Sequence, residues 1–272
     1  MSMIRDVVKR ALRGGDGGSR QAAPAADGNT LFAPGNQWYA PAIAGASTFG
    51  ASMLAGPAAV RRALTVLERL TPDAYADYVM AFYRAGLERH PETWRFADIN
   101  TALMTLAAGL QPRSYLEIGV RRGRSLAMVA SVCPGCEILA CDMFIEGYAG
   151  MDNPGQELVT SELARVGFTG ALEFLTGDSH EVLPRHFDQH PDRFFDLITV
   201  DGDHSEAGAR ADLETVIPRL KVGGALVFDD ISNPSHPELA RVWREVVELR
   251  PAYSTFTFTE LGFGIGVAIR HA

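Results

Sequence analysis

Residues 114–125 read SYLEIGVRRGRS, and this stretch decides the fold because it joins an apolar strand to a glycine turn and a helix. Its first six residues are typical of a buried strand that ends at Gly119. A glycine there lets the backbone turn tightly and lets a ligand approach closely. Gly123 opens the next helix, predicted over residues 125–133, and Ser125 is placed to cap its first turn. We therefore predict a strand–turn–helix unit with space for a ligand at the turn.

The remainder of the C-terminal part repeats this alternation. Further strands are predicted over residues 137–141, 172–176, 196–200, 225–228, 253–260 and 264–270, with helices between most of them. Strands that alternate with helices indicate a parallel sheet covered by helices on both faces. The last two strands follow each other without a helix, so we expect an antiparallel pair. The fold prediction is α/β: a Rossmann-like, doubly wound mixed sheet of seven strands with a helical N-terminal extension.

The N-terminal third has a different texture. Residues 1–56 are predicted to be a flexible arm because much of this stretch is rich in Gly, Ala, Pro and Ser. Trp38 and Tyr39 stand out in it, and could cover a substrate site or a neighbouring subunit in a homo-oligomer. Residues 57–110 are predicted to form a helical cap of three helices, the second with Thr71 as its N-cap and the third over about residues 93–110. Residues 111–272 form the predicted catalytic domain.

Composition excludes several classes of protein. The chain has 272 residues, 47% of them hydrophobic, and a net charge of −8, so long-range attraction to nucleic acid is not expected. The sequence contains no run of about 18 apolar residues, so no membrane-spanning helix is predicted. The basic stretch at residues 1–13 lacks the apolar core of a secretory signal. Three cysteines cannot build a disulfide framework, which favours a reducing, cytoplasmic setting.

Carboxylates recur at the carboxyl ends of the predicted strands. In an open parallel sheet this edge binds ligands, so these side chains are expected to line one crevice. They are Glu117, Asp142, Asp178, Asp201, Asp229 and Asp230. The alternative for any one of them is a turn former or a helix cap, which aspartate often is after a strand. Recurrence at successive strand ends favours the shared crevice.

The first turn does not carry the G-x-G-x-x-G pattern of dinucleotide-binding proteins. A pyrophosphate needs a row of free N–H groups at a helix start. A cofactor without phosphate, such as S-adenosylmethionine, does not need this row of N–H groups. It needs a close approach of the backbone and an acidic environment for its sulfonium and amino group. Asp142 is placed to accept hydrogen bonds from ribose hydroxyls, and Asp178 with Ser179 to reach an adenine edge.

The motifs together resemble the class I S-adenosylmethionine-dependent methyltransferases, and within them the macrocin O-methyltransferase and sugar O-methyltransferase group. The resemblance covers residues 96–270 and is carried by the first glycine turn together with VDGDH at residues 200–204 and GGALVFDD at residues 223–230. It implies methylation of a hydroxyl on a sugar or glycosylated small molecule. The expected cofactor-binding residues are Glu117, Gly119, Gly123, Ser125, Asp142, Asp178, Ser179 and Asp201.

The same resemblance implies a Mg²⁺ site formed by Asp201, Asp229 and Asp230. Carboxylate oxygens suit Mg²⁺, and a cation would relieve the repulsion between them. Adjacent strand residues point to opposite faces, so the last two can share an ion only if the chain turns there. The relatives use as general base either a histidine at the position of His204 or an aspartate at that of Asp203. We favour His204 because a neutral imidazole removes a hydroxyl proton near neutral pH.

Other interpretations have specific weaknesses. A nicotinamide-dependent oxidoreductase would need the missing glycine pattern and a Tyr-x-x-x-Lys pair. A non-catalytic scaffold would not need the full carboxylate set, and N-methylation would not need the metal. Cys133 and Cys136 have C-x-x-C spacing but lack the second pair that a zinc site requires. The acceptor itself is open, since a catechol-like phenol also suits a metal-assisted site.

Overall fold

The computed structural model describes residues 54–147, 152–260 and 262–272. Most of the predicted arm, including Trp38 and Tyr39, therefore lies outside the described residues. Of the arm's last three residues, Leu54 is fully buried in the core. The described chain thus enters the hydrophobic core before the first helix begins.

One seven-stranded sheet organises the described chain. Its strands are β1 (Ser114–Ile118), β2 (Glu137–Asp142), β3 (Leu172–Thr176), β4 (Phe195–Val200), β5 (Leu220–Asp229), β6 (Tyr253–Phe258) and β7 (Ile265–Arg270). The strand order is β3-β2-β1-β4-β5-β7-β6. The first five strands pair in parallel, whereas β7 is antiparallel to both β5 and β6. The predicted mixed sheet with an antiparallel final pair is confirmed.

Eight α-helices occur in the described ranges: α1 (Pro57–Leu67), α2 (Ala74–Arg89), α3 (Ile99–Leu110), α4 (Arg124–Val132), α5 (Gln156–Arg165), α6 (Ser179–Gln189), α7 (Glu206–Val216) and α8 (Glu238–Trp243). The last continues as a π-helical turn over Arg244–Glu248. No helix in the described part of the chain has the length and apolar character needed to cross a membrane.

Two hydrophobic cores lie on the two faces of the sheet. Neighbouring residues of one strand point to opposite faces, so Tyr115 joins one core and Leu116 the other. Helices α1 to α5 cover the first face, and α6 to α8 cover the second. The helices over residues 57–110 therefore share a core with the strands. The predicted division into a helical cap and a catalytic domain stays a prediction.

Two predicted helix starts are wrong, for the same reason. Asp73, not Thr71, caps α2, because its carboxylate accepts the backbone N–H groups of Tyr75 and Ala76 at 2.9 Å. The Thr71 backbone N–H instead donates to Glu162 at 2.8 Å. Helix α3 begins later than predicted, where Asp98 forms a capping box with the third helical residue. In both places an aspartate carboxylate caps the helix later in the chain than predicted.

The sheet order fixes where a ligand can bind. Strand β1 lies between β2 and β4, so the chain leaves β1 and β4 toward opposite sides of the sheet. This reversal opens a crevice beyond the carboxyl ends of the central strands.

Candidate active site

A cavity of about 760 Å³ opens at this crevice. Loops that follow β1, β2, β3 and β4 form most of its wall, and two residues after β5 complete it. Of the predicted site residues, the wall contains Gly119, Asp142, Asp178, Ser179, Asp201, Asp203 and His204. Its volume lies in the range of small-molecule sites. The strand-end residues from four separate loops thus meet around one space.

Gly119 is required by the geometry of the first turn. Its φ is +87°, and a Cβ added there would lie 1.7 Å from the backbone oxygen of Asp201. The backbone N–H of Gly119 donates to Cys141 O at 2.9 Å, and that of Asp201 donates to Ile118 O at 2.9 Å. The turn is therefore pressed between the neighbouring strand ends. Gly123, with a φ of +73°, stands directly before α4 as predicted.

The Asp142 carboxylate is held by the turn and by the loop after β2. It accepts the backbone N–H of Arg121 at 2.7 Å and that of Phe144 at 2.6 Å. The Asn153 amide donates to it at 3.1 Å. These contacts fix the carboxylate at the cavity wall, at the end of β2, where the sequence predicted a ribose-binding group.

The third loop contributes Asp178 and Ser179. Asp178 caps α6, since its carboxylate accepts the backbone N–H of His180 at 2.9 Å. The Ser179 hydroxyl donates to Asp212 at 2.6 Å. Asp178 thus serves as a helix cap and also lines the cavity, so the two readings of this carboxylate are compatible.

Glu117 and Ser125 lie away from the described cavity wall. Glu117 is fully buried and accepts hydrogen bonds from the hydroxyls of Ser125, at 2.5 Å, and Tyr115. The Tyr115 hydroxyl also contacts Thr199 at 2.8 Å. Burial raises the pKa of Glu117 to about 8, although the two hydrogen bonds act in the opposite direction. Both residues therefore lie beneath the first turn, and their predicted contact with the cofactor stays a prediction.

The raised pKa of Glu117 predicts a pH dependence of stability. Its ordinary pKa is 4.5 and its pKa in the fold is about 8. The folded state therefore binds more protons between these values, so the free energy of unfolding falls as pH rises from 4.5 to 8. We expect urea unfolding to show a steeper loss of stability for the wild type than for Glu117→Gln. An identical pH slope for the two proteins would contradict a neutral Glu117.

Three carboxylates and one imidazole form an acidic cluster at the ends of β4 and β5. His204 Nε2 lies 3.5 Å from Asp201 Oδ1, and His204 Nδ1 lies 3.6 Å from Asp230 Oδ2. Hydrogen bonding to Asp201 raises the pKa of His204, and the charges of both carboxylates add to the rise. Burial raises the pKa of Asp201 and of Asp229, and neighbouring carboxylates raise both further. The charges in this cluster are therefore strongly interdependent.

The chain turns between the two adjacent aspartates, as a shared ion would require. Strand β5 ends at Asp229, and Asp230 has a left-handed φ of +64°. Asn233 donates a side-chain hydrogen bond to Asp230 Oδ2 at 2.9 Å and steadies this turn. A left-handed non-glycine residue is uncommon and often marks a functional site.

The donor chemistry of the cluster fits a hard divalent cation. Carboxylate oxygens are the ligands that Mg²⁺ prefers. Burial and neighbouring carboxylates raise the pKa of Asp201 and of Asp229, and a bound cation would act against this rise. The side chains as placed are not a closed site, because no three potential ligands converge on one point in the described part of the chain. His204 lies between two of the carboxylates in this arrangement. The metal site therefore stays a prediction.

Asp203 and His204 have different surroundings. The Asp203 carboxylate accepts the backbone N–H of Ser205 at 2.7 Å and lies against Gly208, where an added Cβ would be 2.0 Å from Asp203 Oδ2. It is thus engaged in the turn that leads into α7. His204 contacts two acidic side chains and lines the cavity.

Among the wall residues that the sequence analysis did not assign to the site, three have basic side chains. Arg121 lies at the first turn, with a left-handed φ of +48°. His180 lies at the start of α6, and His236 lies after β5 with its ring centroid 5.4 Å from that of His204. Their only signal in the sequence was their position near predicted site residues, since a single histidine rarely stands out in a sequence.

Comparison with solved structures supports the fold. The chain is similar to an SAH-bound methyltransferase from Podospora anserina (14% identity, 83% of this chain and 94% of that chain covered, TM-score 0.51). It is also similar to the SAM-bound O-methyltransferase TomG from Streptomyces achromogenes (20% identity, 75% of this chain and 92% of that chain covered, TM-score 0.51). A third similar structure is an SAH-bound O-methyltransferase from Bacillus cereus (16% identity, 82% of this chain and 96% of that chain covered, TM-score 0.51). No curated protein sequence matches the chain.

Residues 116–231 match the family profile described as a methyltransferase domain. This part of the chain is similar to methyltransferase domains. The profile begins within β1 and ends just after the Asp229–Asp230 pair, so the methyltransferase match includes the whole acidic cluster. The match favours a methyltransferase over the nicotinamide-dependent alternative, because the matched residues include most of the cavity wall.

Proposed function

We propose that this methyltransferase transfers the methyl group of S-adenosylmethionine to a hydroxyl of a sugar or glycosylated small molecule. The observation that carries the proposal is the position of His204, on the cavity wall between Asp201 and Asp230. An imidazole held beside two carboxylates suits removal of a proton from an alcohol. The motifs around the cluster resemble those of sugar O-methyltransferases, which supports the choice of acceptor.

The proposed chemistry is a single displacement. The acceptor oxygen attacks the methyl carbon, the bond from that carbon to sulfur breaks, and its electron pair stays on sulfur to give S-adenosylhomocysteine. The hydroxyl proton passes to a ring nitrogen of His204, with Asp203 as the alternative base. Asp201 and Asp230 stabilise the resulting imidazolium from either side. Alignment of the oxygen, carbon and sulfur supplies much of the rate enhancement.

Asp201, Asp229 and Asp230 are the proposed ligands of Mg²⁺. When bound, the ion would lower the pKa of an acceptor hydroxyl and help to orient it. Asp142, Asp178 and Asp201 line the cavity and make it acidic, which favours the positively charged sulfonium of the donor. Gly119 provides the close backbone approach, and Asp142 provides a fixed acceptor for the ribose hydroxyls.

Methyl transfer from labelled S-adenosylmethionine to a panel of glycosides, catechols and amines tests this proposal. The protein is stripped with EDTA and then supplied with increasing Mg²⁺. We expect labelled product from a glycoside, little in EDTA, and recovery with Mg²⁺. Full activity in EDTA would contradict the metal, and transfer to amines alone would contradict O-methylation. Absence of transfer to any acceptor would favour a non-catalytic protein.

Paired variants sharpen the test of the metal. Asp230→Asn removes one charge from the acidic cluster, so the Mg²⁺ concentration for half-maximal activity should rise by about tenfold or more. Asp196→Asn is the matched control. Asp196 pairs with Lys221 at 2.9 Å near the start of β4, at the end of the strands opposite the cavity. An equal shift in the two variants would contradict the assignment of Asp230.

A further inference from the structure

Helix α7 carries a buried carboxyl group directly behind the cavity. The side chain of Asp212 is only 1% exposed. The Ser179 hydroxyl donates to Asp212 Oδ1 at 2.6 Å, and His180 Nε2 lies 3.3 Å from the same oxygen. Both partners belong to the part of the cavity wall that follows β3. Asp212 therefore holds one wall of the cavity from the protein interior.

The same carboxyl contacts the wall that follows β4. A Cβ added at Gly202 would lie 2.8 Å from Asp212 Oδ2, so the backbone there packs against the carboxyl. Burial raises the pKa of Asp212, and the backbone amide of Asp203 acts in the opposite direction, which places that amide close to the carboxyl group. Gly202 and Asp203 both line the cavity. One buried side chain thus touches the loops on two sides of the same space.

Burial of the Asp212 carboxyl group lowers the stability of the fold, so a role in folding alone does not explain it. Asp212 Oδ2 is buried and has no hydrogen-bond partner among the described residues. A buried carboxyl oxygen without a partner destabilises a fold, and such groups call for an explanation. The contacts of Asp212 with the two loops that follow β3 and β4 give such an explanation.

We propose that Asp212 is a positioning residue that holds the loops after β3 and β4 at the separation required to bind S-adenosylmethionine. It acts through Ser179 and through the backbone of Gly202 and Asp203, and it does not touch the cofactor. The proposal rests on the cofactor of the methyltransferase domain and is independent of the acceptor and of Mg²⁺.

Calorimetric titration of S-adenosylhomocysteine into three proteins tests the proposal. Asp212→Ala should raise the Kd by about tenfold or more, since both loops lose their common partner. Asp212→Asn keeps an acceptor oxygen for Ser179 and should stay within about threefold of the wild type. The amide is a suitable replacement because burial raises the pKa of Asp212 and favours its neutral form. If Asp212→Ala does not fold, Asp212→Ser takes its place, because its short side chain cannot reach Ser179.

Glu162→Ala is the matched control for the loss of a buried carboxylate. Glu162 is 2% exposed on α5 and binds Thr71, outside the described cavity wall. We expect this variant to lose thermal stability and to keep the wild-type Kd. The proposal is overturned by an unchanged Kd in Asp212→Ala, by a failure of Asp212→Asn to restore affinity, or by an equal loss in Glu162→Ala. A wild type that does not bind S-adenosylhomocysteine overturns it together with the cofactor.

Discussion

Replacement of His204 with alanine should lower kcat for methyl transfer by about 10²- to 10⁴-fold, the usual contribution of a general base. The expected cause is the loss of the group that takes the acceptor proton, while the donor site stays intact. The Kd of S-adenosylhomocysteine should therefore remain within about threefold of the wild-type value. Steady-state kinetics at saturating donor, together with calorimetry of the same preparation, measures both quantities.

His236→Ala is the matched control, because this second imidazole lines the same cavity with its ring centroid 5.4 Å from that of His204. His236 contacts neither Asp201 nor Asp230 in the described ion pairs, and its partner at 3.6 Å is Glu238. We expect it to change kcat by about tenfold at most. Equal losses in the two variants, or a small loss in His204→Ala, would contradict His204 as the base and would favour Asp203.

Gly119→Ala should destabilise the protein by about 3 kcal/mol or more, through left-handed backbone strain and overpacking. The added Cβ would lie 1.7 Å from Asp201 O, and backbone cannot yield as a flexible side chain does. Any relief of this clash must separate β1 from β4 at the floor of the cavity. Binding of S-adenosylhomocysteine should be lost even where the variant still folds.

Gly135→Ala is the control for this prediction. Gly135 is exposed in the turn before β2, and a Cβ added there would meet nothing within 4 Å. Urea unfolding should show a change within about 0.5 kcal/mol, as for ordinary surface substitutions. Similar free energies of unfolding for the two variants would contradict the close approach at Gly119.

The alternation of strands and helices predicted the sheet correctly, because buried parallel strands are short apolar runs that a sequence displays directly. Helix starts depend on single hydrogen bonds. Asp73 and Thr71 are both good caps, and only the distant Glu162 decides which of them is free to cap α2. Such a contact spans 91 positions and is invisible to a local pattern.

Part of the geometry of the candidate site could also be predicted from the sequence. The rule that ligands bind beyond strand ends located Asp142, Asp178 and Asp201 on one cavity, because that edge follows from topology alone. It cannot say which way a side chain points at the end of a strand. Glu117 therefore turned out to lie beneath the turn with Tyr115 and Ser125. Asp212 could not be found from the sequence, since it sits mid-helix and acts through two loops that only the fold brings together.

Titration of S-adenosylhomocysteine into the EDTA-stripped wild-type protein tests most directly that the crevice beyond β1, β2 and β4 is the cofactor site. Binding of one equivalent per chain, with a Kd of about micromolar order and no need for added Mg²⁺, is the predicted result. No binding with or without Mg²⁺ would contradict the account.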